Sequence, residues 1–246
     1  APKLFEAIAV SAIPRLGEFD SQNFANTAWA FATAGVAAPK LFEAIAVTVV
    51  PRLGEFNSQG LANTAWAFAC GNRLESWQVE SIFERLVNDA ATFDVVHLCQ
   101  VYQFALYVMV THPQIEVLAS SLKVRNLRDL YVRQLLPRPS RLQHDVSVAL
   151  IQCGWTHEVE HVTEEGLSLD LARPTSKHAV EVDGPRHFLR EVGSGCLVEN
   201  GSTRLKSRLL AALGWKVAHV RFDEWDTLET GAAKRLYLEA KLAVFS

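Results

Sequence analysis

The chain has 246 residues, of which 49% are hydrophobic and 21% are charged, and its formal net charge is −3 at pH 7. These values are typical of a folded soluble protein with one large domain or two ordinary ones. They exclude a strong overall attraction to nucleic acid or to an anionic membrane, so such binding would require a local basic patch. No apolar stretch is long enough to span a bilayer, and no membrane partner is expected.

The start of the chain and its cysteines indicate its context. The four cysteines are far apart and form no CxxC or Cys/His ligand spacing, so a zinc site is not expected and the thiols are predicted to be reduced, as in an intracellular compartment. The opening phrase APKLFEA recurs from Ala38. We therefore expect a fragment that begins inside a repeated unit, with its targeting segment and an unknown number of repeats upstream.

Residues 1–111 are predicted to form helical repeats. The phrase PRLGEF begins at Pro14 and again at Pro51, a step of 37 residues, and ANTAWAFA repeats with the same step. A third, diverged copy keeps Phe93 in register with Phe56. An internal period of this size indicates an α-helical solenoid.

Each repeat is predicted to contain two helices. The first covers Lys3 to about Ile13 and is ended by Pro14 and Gly17. The second covers Asn23 to Thr33 and returns one period later. The candidate N-caps of these second helices are Asp20 or Ser21 and, in the next copy, Asn57 or Ser58.

Two residue types that recur in the second helices have alternative roles. Trp29 and Trp66 could be platforms on which nucleic-acid bases stack, but we expect them to be buried and to lock successive repeats together. Asn26 and Asn63 could read bases, or they could make ordinary hydrogen bonds on a helix surface or in a loop.

These repeats resemble octotricopeptide repeats, which are helix-pair repeats of slightly longer period in organellar RNA-binding proteins. The resemblance covers close to half the chain and implies binding of single-stranded RNA along one face of the solenoid. The cations of the repeats stand beside glutamates, as Arg15 does beside Glu18, so no basic groove is evident.

Residues 112–138 are predicted to form a helical connector, with the domain boundary near Pro137 to Ser140. Its cations form either a solvated helix face or a contact to RNA phosphate. They are Lys123, Arg125, Arg128 and Arg133.

Residues 139–246 are predicted to form a small α/β sandwich, so the fold class of the whole chain is α + α/β. The expected order is a helix capped by Ser140, three strands, a helix from Thr203 to Leu213 capped by Ser202, a strand, and a final helix from Lys234 to Val244. The segment RHFLREVGSG is predicted to be a loop over the end of the third strand.

Three acids are expected to converge on the sheet of this domain. Residues i and i+2 of a strand point to the same face, so Glu181 and Asp183 share one face of AVEVD. Asp170 alternates with leucines in LSLDLA, and it joins the other two acids if the strands are neighbours.

The segments SLDLA, AVEVDGPRHF and STRLKSRLLAALGWKVAHVRFDEW resemble, in order, the RAP domain of RNA-binding proteins. The match spans about Leu167 to Trp225. RAP domains are similar to the restriction-endonuclease fold, and the family includes FAST-kinase-like mitochondrial proteins. The resemblance implies an RNA-binding protein of organellar RNA processing, in the mitochondrion or the chloroplast.

A nuclease of the PD-(D/E)xK type would use these acids to bind Mg²⁺. Asp170 and Glu181 are the candidate metal ligands, and Asp183 occupies the position at which the motif has lysine. His187 could serve as the base, and Lys177 or Lys206 could supply the missing cation from elsewhere. In the alternative, non-cleaving hypothesis, Asp183 caps the turn before Gly184-Pro185, Asp170 bonds to backbone or arginine, and no cofactor is needed.

RNA contact is predicted from cations near GPRHF and on the following helix, where Arg204 and Arg208 lie one turn apart. A solvated helix face is the alternative for these two arginines. Phe188 could stack a base, but we expect it to pack under the loop. The candidate RNA-binding residues are Arg186, Arg190, Arg204, Lys206, Arg208, Asn26 and Asn63.

Three functions follow from this sequence. The favoured one is an RNA-binding protein that acts in processing, stability or translation of organellar transcripts, with single-stranded RNA and other RNA-processing proteins as partners. The alternatives are a Mg²⁺-dependent endoribonuclease and a protein-interaction scaffold.

Overall fold

The computed structural model describes residues 2–71, 74–115, 124–135, 139–191 and 194–245. Contacts divide the chain into two compact units. The first comprises Ala1–Tyr131 and Leu189–Leu205, and the second comprises Val132–Phe188 and Lys206–Ser246. In the described ranges, no helix has the length and apolarity that a membrane crossing needs.

The first unit contains three successive pairs of helices. A 3-10 helix follows the first helix of each pair, at Ile13–Glu18, Val50–Glu55 and Ala90–Thr92. The second helices begin 37 residues apart, because 58 − 21 and 95 − 58 both equal 37, and they pack side by side. The six helices are α1 (Pro2–Ala12), α2 (Ser21–Thr33), α3 (Pro39–Val49), α4 (Ser58–Gly71), α5 (Ser76–Asn88) and α6 (Val95–Thr111).

Side-chain caps set the start of each second helix. A carboxylate or carboxamide oxygen accepts a hydrogen bond from a main-chain N–H that has no partner within the helix. Asp20 accepts from Asn23 N at 2.7 Å, and Asn57 accepts from Gly60 N at 2.8 Å. Asp94 does the same for α6. In each of the first two copies, the earlier of the two predicted caps is used.

The expectation of two buried tryptophans is correct for Trp66 and wrong for Trp29. The Trp66 side chain is 8% exposed, and its indole N–H donates to Gln103 Oε1 of the next pair at 2.7 Å. Trp29 is 43% exposed. It lies on the outer face of α2, which also carries Gln22 and Asn26.

A further helix, α7 (Val124–Gln134), carries those cations of the predicted connector that the structure describes. Arg128 pairs with the adjacent Asp129 at 3.0 Å, and Arg133 is exposed. Lys123, Pro137 and the side chain of Arg125 lie outside the described residues.

The C-terminal part of the chain combines helices with a four-stranded sheet. The strand order is β1-β2-β3-β6, with β1–β2 and β2–β3 antiparallel and β3–β6 parallel. The elements are α8 (Arg141–Gln152), β1 (Glu158–Val162), β2 (Ser168–Arg173), β3 (His178–Asp183), β4 (Phe188–Arg190), β5 (Leu197–Glu199), α9 (Gly201–Ala212), β6 (Lys216–Arg221), α10 (Phe222–Trp225) and α11 (Gly231–Leu242).

Strand register separates an apolar face from a polar one. Leu171 lies opposite Val180, and Val180 lies opposite Ala218, so these residues share a face. That face forms the core with residues of α8 and α11, including Val146 and Leu238. The alternate positions of the strands carry the acids, which therefore lie on the other face.

Two local predictions are wrong. The segment predicted as a loop contains β4, which pairs with β5 in a two-stranded sheet, and a bond from Glu191 N to Cys196 O closes it. The predicted cap Ser202 lies inside α9. Asn200 Oδ1 accepts from Thr203 N at 2.9 Å instead, because an asparagine caps as well as a serine and stands ahead of the first turn.

Candidate functional site

The structure brings Asp170 and Glu181 together in the second unit. Leu171 pairs with Val180 in the antiparallel register of β2 and β3, so the preceding Asp170 reaches the level of Glu181. The main-chain N–H of Asp170 donates to Glu181 Oε1 at 3.3 Å. The predicted convergence of these two acids is therefore present in the geometry.

A lysine from helix α9 neutralises Glu181. The Glu181 side chain is 3% exposed, and its Oε2 lies 2.5 Å from Lys206 Nζ. Lys177, the other lysine considered, donates to Leu213 O at 3.0 Å. Of the two lysines predicted as possible partners of the acids, Lys206 thus makes the contact, and this residue was also among the predicted RNA-binding residues.

Asp183 lies between two histidines. Its side chain is 2% exposed, with Oδ2 at 2.7 Å from His219 Nδ1 and Oδ1 at 3.3 Å from His187 Nδ1. Sequence analysis found His187 but missed His219, which comes from the parallel neighbour β6. The alternation of His219 with the buried Ala218 and Val220 was the signal that could have placed it on this face.

Asp170 takes over part of the main-chain hydrogen bonding of β3. Its Oδ2 accepts from Val182 N at 2.7 Å. Burial, reinforced by the nearby Glu181 charge, raises the pKa of Asp170 to about 7. The carboxyl group therefore changes its protonation state near neutral pH inside the fold.

The acids as placed do not fit a Mg²⁺ site. Magnesium needs several free oxygen ligands in octahedral geometry. Both oxygens of Glu181 and of Asp183, and Oδ2 of Asp170, already have partners within the protein. No cluster of three or more His, Cys, Asp or Glu side chains suited to a metal ion occurs in the part of the chain that the structure describes. Chemically, the group is a set of hydrogen-bonded polar side chains that ties β2, β3, β6 and α9 together.

The predicted arginines are divided between the two units. Arg190 and Arg204 belong to the first unit, whereas Arg186 and Arg208 belong to the second. Arg204 Nη1 donates to Gly35 O at 2.6 Å. Phe188 is buried, with the guanidinium of Arg221 at 4.5 Å from its ring centre, so it packs inside the protein as expected.

The predicted asparagines lie on neighbouring second helices of the first unit. Asn26 of α2 is exposed, and Asn63 of α4 is half-buried. Gln100 Nε2 donates to Asn63 Oδ1 at 2.9 Å. Sequence analysis missed Gln100, although 100 − 63 equals the repeat period of 37 and the register of the third copy would have indicated it.

Comparison with known proteins supports the interpretation of the C-terminal part. Residues 180–241 match the family described as the RAP domain. The chain is also 27% identical over 155 residues to a RAP domain-containing protein, chloroplastic, from Oryza sativa subsp. japonica. That alignment covers 62% of this chain and 24% of the rice protein, so the chain spans about a quarter of the length of this curated relative. The matched residues include Glu181, Asp183 and Lys206, so these contacts of the sheet lie within the part of the chain that is a RAP domain.

Proposed function

We propose that this chain binds single-stranded RNA without cleaving it and acts in processing, stability or translation of organellar transcripts. The RAP domain and the relative named as chloroplastic support an organellar role. The 37-residue spacing of the packed second helices supports a repeat solenoid like that of octotricopeptide repeats. The mixed four-stranded sheet with helices supports a restriction-endonuclease-like fold for residues 139–246.

Two exposed arginines of the first unit carry the proposal. Arg190 and Arg204 donate to main-chain carbonyls, those of Gly195 and Gly35. A carbonyl acceptor orients a guanidinium but does not cancel its charge, so each arginine can still attract phosphate.

Arginines of the repeats are arranged differently. Arg15 and Arg52 each contact a glutamate three residues later at 2.7 Å. The positive charge of each of these arginines is therefore neutralised by its neighbouring glutamate. We expect Arg190 and Arg204 to make the larger contribution to phosphate binding.

The contacts of Asp170 and Glu181 on the sheet support a structural role for these acids in preference to cleavage. Lys206 holds Glu181, and a main-chain N–H occupies one oxygen of Asp170. A hydrolytic role would require these oxygens to give up their hydrogen-bond partners within the protein and to bind a metal ion instead. Losing those partners is costly for buried groups.

Fluorescence anisotropy with labelled single-stranded RNA across a range of salt concentrations tests the proposal. Log affinity should fall linearly with log salt, by about 0.7 per phosphate contact. Arg204→Ala should weaken binding and lower that slope by about 0.7. The control is Arg235→Ala, which removes an exposed arginine already paired with Glu239 at 2.8 Å and should change neither quantity.

Binding that is absent, or that does not respond to salt, would refute RNA binding and favour a protein-interaction scaffold. The same RNA incubated with protein and Mg²⁺ should stay intact. Cleavage that disappears in Asp170→Asn would instead establish an endoribonuclease.

A further inference from the structure

A polar cleft lies between the N-terminal halves of α2 and α4. Its volume is about 170 Å³, below the roughly 300 Å³ at which pockets for drug-sized ligands begin, so it suits one small planar group. Carboxamides dominate its lining, which also includes a serine and small residues but no charged side chain. These carboxamides are Gln22, Asn26, Asn57, Gln59 and Asn63.

The same two amide positions face the cleft from both helices. Gln22 and Asn26 lie one turn apart on α2, and Gln59 and Asn63 lie one turn apart on α4. The two pairs are related by the 37-residue repeat step, since 59 − 22 and 63 − 26 both equal 37. The cleft is therefore built by the repeat itself.

The next interface in the series is different. Between α4 and α6, Asn63 accepts a hydrogen bond from Gln100 at 2.9 Å, so these equivalent amides satisfy each other. Val96 stands where α2 has Gln22 and α4 has Gln59, because 96 − 59 is also 37. The set of four facing amides thus occurs between the first and second repeats and is not reproduced between the second and third.

We propose that the α2–α4 cleft binds one unpaired nucleobase of single-stranded RNA, which deepens the RNA-binding function proposed above and rests on it. A carboxamide presents a donor and an acceptor in one plane, which matches the edge of a base. A phosphate would call for a cation, and none lines the cleft.

An exposed tryptophan supplies a surface for stacking. Trp29 lies three residues after Asn26 on the same face of α2 and is 43% exposed. Base–aromatic stacking tolerates every base, whereas the amides discriminate between base edges. Trp29 is therefore assigned general affinity and the cleft is assigned base preference.

Anisotropy with labelled oligouridine, oligoadenosine and oligocytidine tests this site on the whole chain. Asn26→Ala should weaken the preferred oligonucleotide about tenfold and reduce the difference between the three, as loss of one amide–base contact predicts. It should leave the salt slope unchanged, because the lost contact is neutral. Gln22→Ala provides a second variant of an exposed side chain, and Gln152→Ala removes an exposed amide of α8 as the control.

The outcomes separate this site from RNA binding as a whole. If the wild type binds RNA while Asn26→Ala and Gln22→Ala keep its affinity and base preference, the nucleobase site is refuted and the RNA-binding function stands. A lower salt slope in Asn26→Ala would likewise overturn it, since the cleft would then hold phosphate. Absence of wild-type binding refutes both.

Discussion

The half-buried carboxyl group of Asp170 should make the stability of the second unit depend on pH. Its pKa is raised from an ordinary 3.8 to about 7 by burial and by Glu181. The folded-state pKa lies above the unfolded one, so the folded state holds the proton to higher pH than the unfolded state does. The fold is therefore more stable at low pH, and it loses stability as the pH rises towards 7. The free energy of unfolding should fall by about 2.5 kcal/mol between pH 5 and pH 8. It falls by about 1.36 kcal/mol for each pH unit over which Asp170 is protonated in the folded state and ionised in the unfolded state.

Asp170→Asn should remove this dependence. Asparagine keeps an oxygen that can accept from Val182 N, now at 2.7 Å from Asp170 Oδ2, but it carries no charge to desolvate. The variant should therefore gain stability over the wild type at pH 8, and the gain should shrink by about 2.5 kcal/mol at pH 5. Urea denaturation followed by tryptophan fluorescence at several pH values measures the difference, since buried Trp155, Trp215 and Trp225 all lie in the second unit.

A control separates this effect from the general loss of a negative charge. Asp226→Asn replaces an exposed aspartate of the same unit and should show no comparable trend. If Asp170→Asn were equally destabilising at pH 5 and pH 8, the reasoning from burial and Glu181 repulsion would be wrong.

Two further contacts can be tested by substitutions that change the free energy of unfolding. Lys206→Met should destabilise the protein by about 3 kcal/mol because it leaves the Glu181 charge buried and unpaired. Adding Glu181→Met should recover much of that loss. If it recovers none, the loss does not come from breaking this ion pair. Gly201→Ala should destabilise the protein by roughly 1–3 kcal/mol because its Cβ would lie 1.8 Å from Ala32 O. The control is Gly231→Ala, which is also at the first position of a helix but has open space around it and should be neutral or slightly stabilising. Equal effects of the two substitutions would contradict the close approach at Gly201.

The sequence alone determined the elements that depend on local pattern. The 37-residue period predicted the spacing of the second helices. The residue types that precede helices predicted the caps Asp20 and, outside the repeats, Ser140. Strands β2 and β3 follow from alternating apolar residues, and their predicted pairing brings Asp170 to Glu181. These features require only neighbours within a few residues, or one repeat, so they are visible in the chain itself.

Tertiary structure decided which groups meet from distant positions. Lys206 reaches Glu181 across 25 residues, and His219 reaches Asp183 across 36, because a crossover helix returns β6 to lie parallel to β3. Trp29 carries the same local signal as Trp66 but differs in exposure, since burial depends on what packs against it. Local pattern chooses helix or strand, whereas partners across the fold are selected by the packing of whole elements, and this is why the charges around the sheet could be listed from the sequence but not paired.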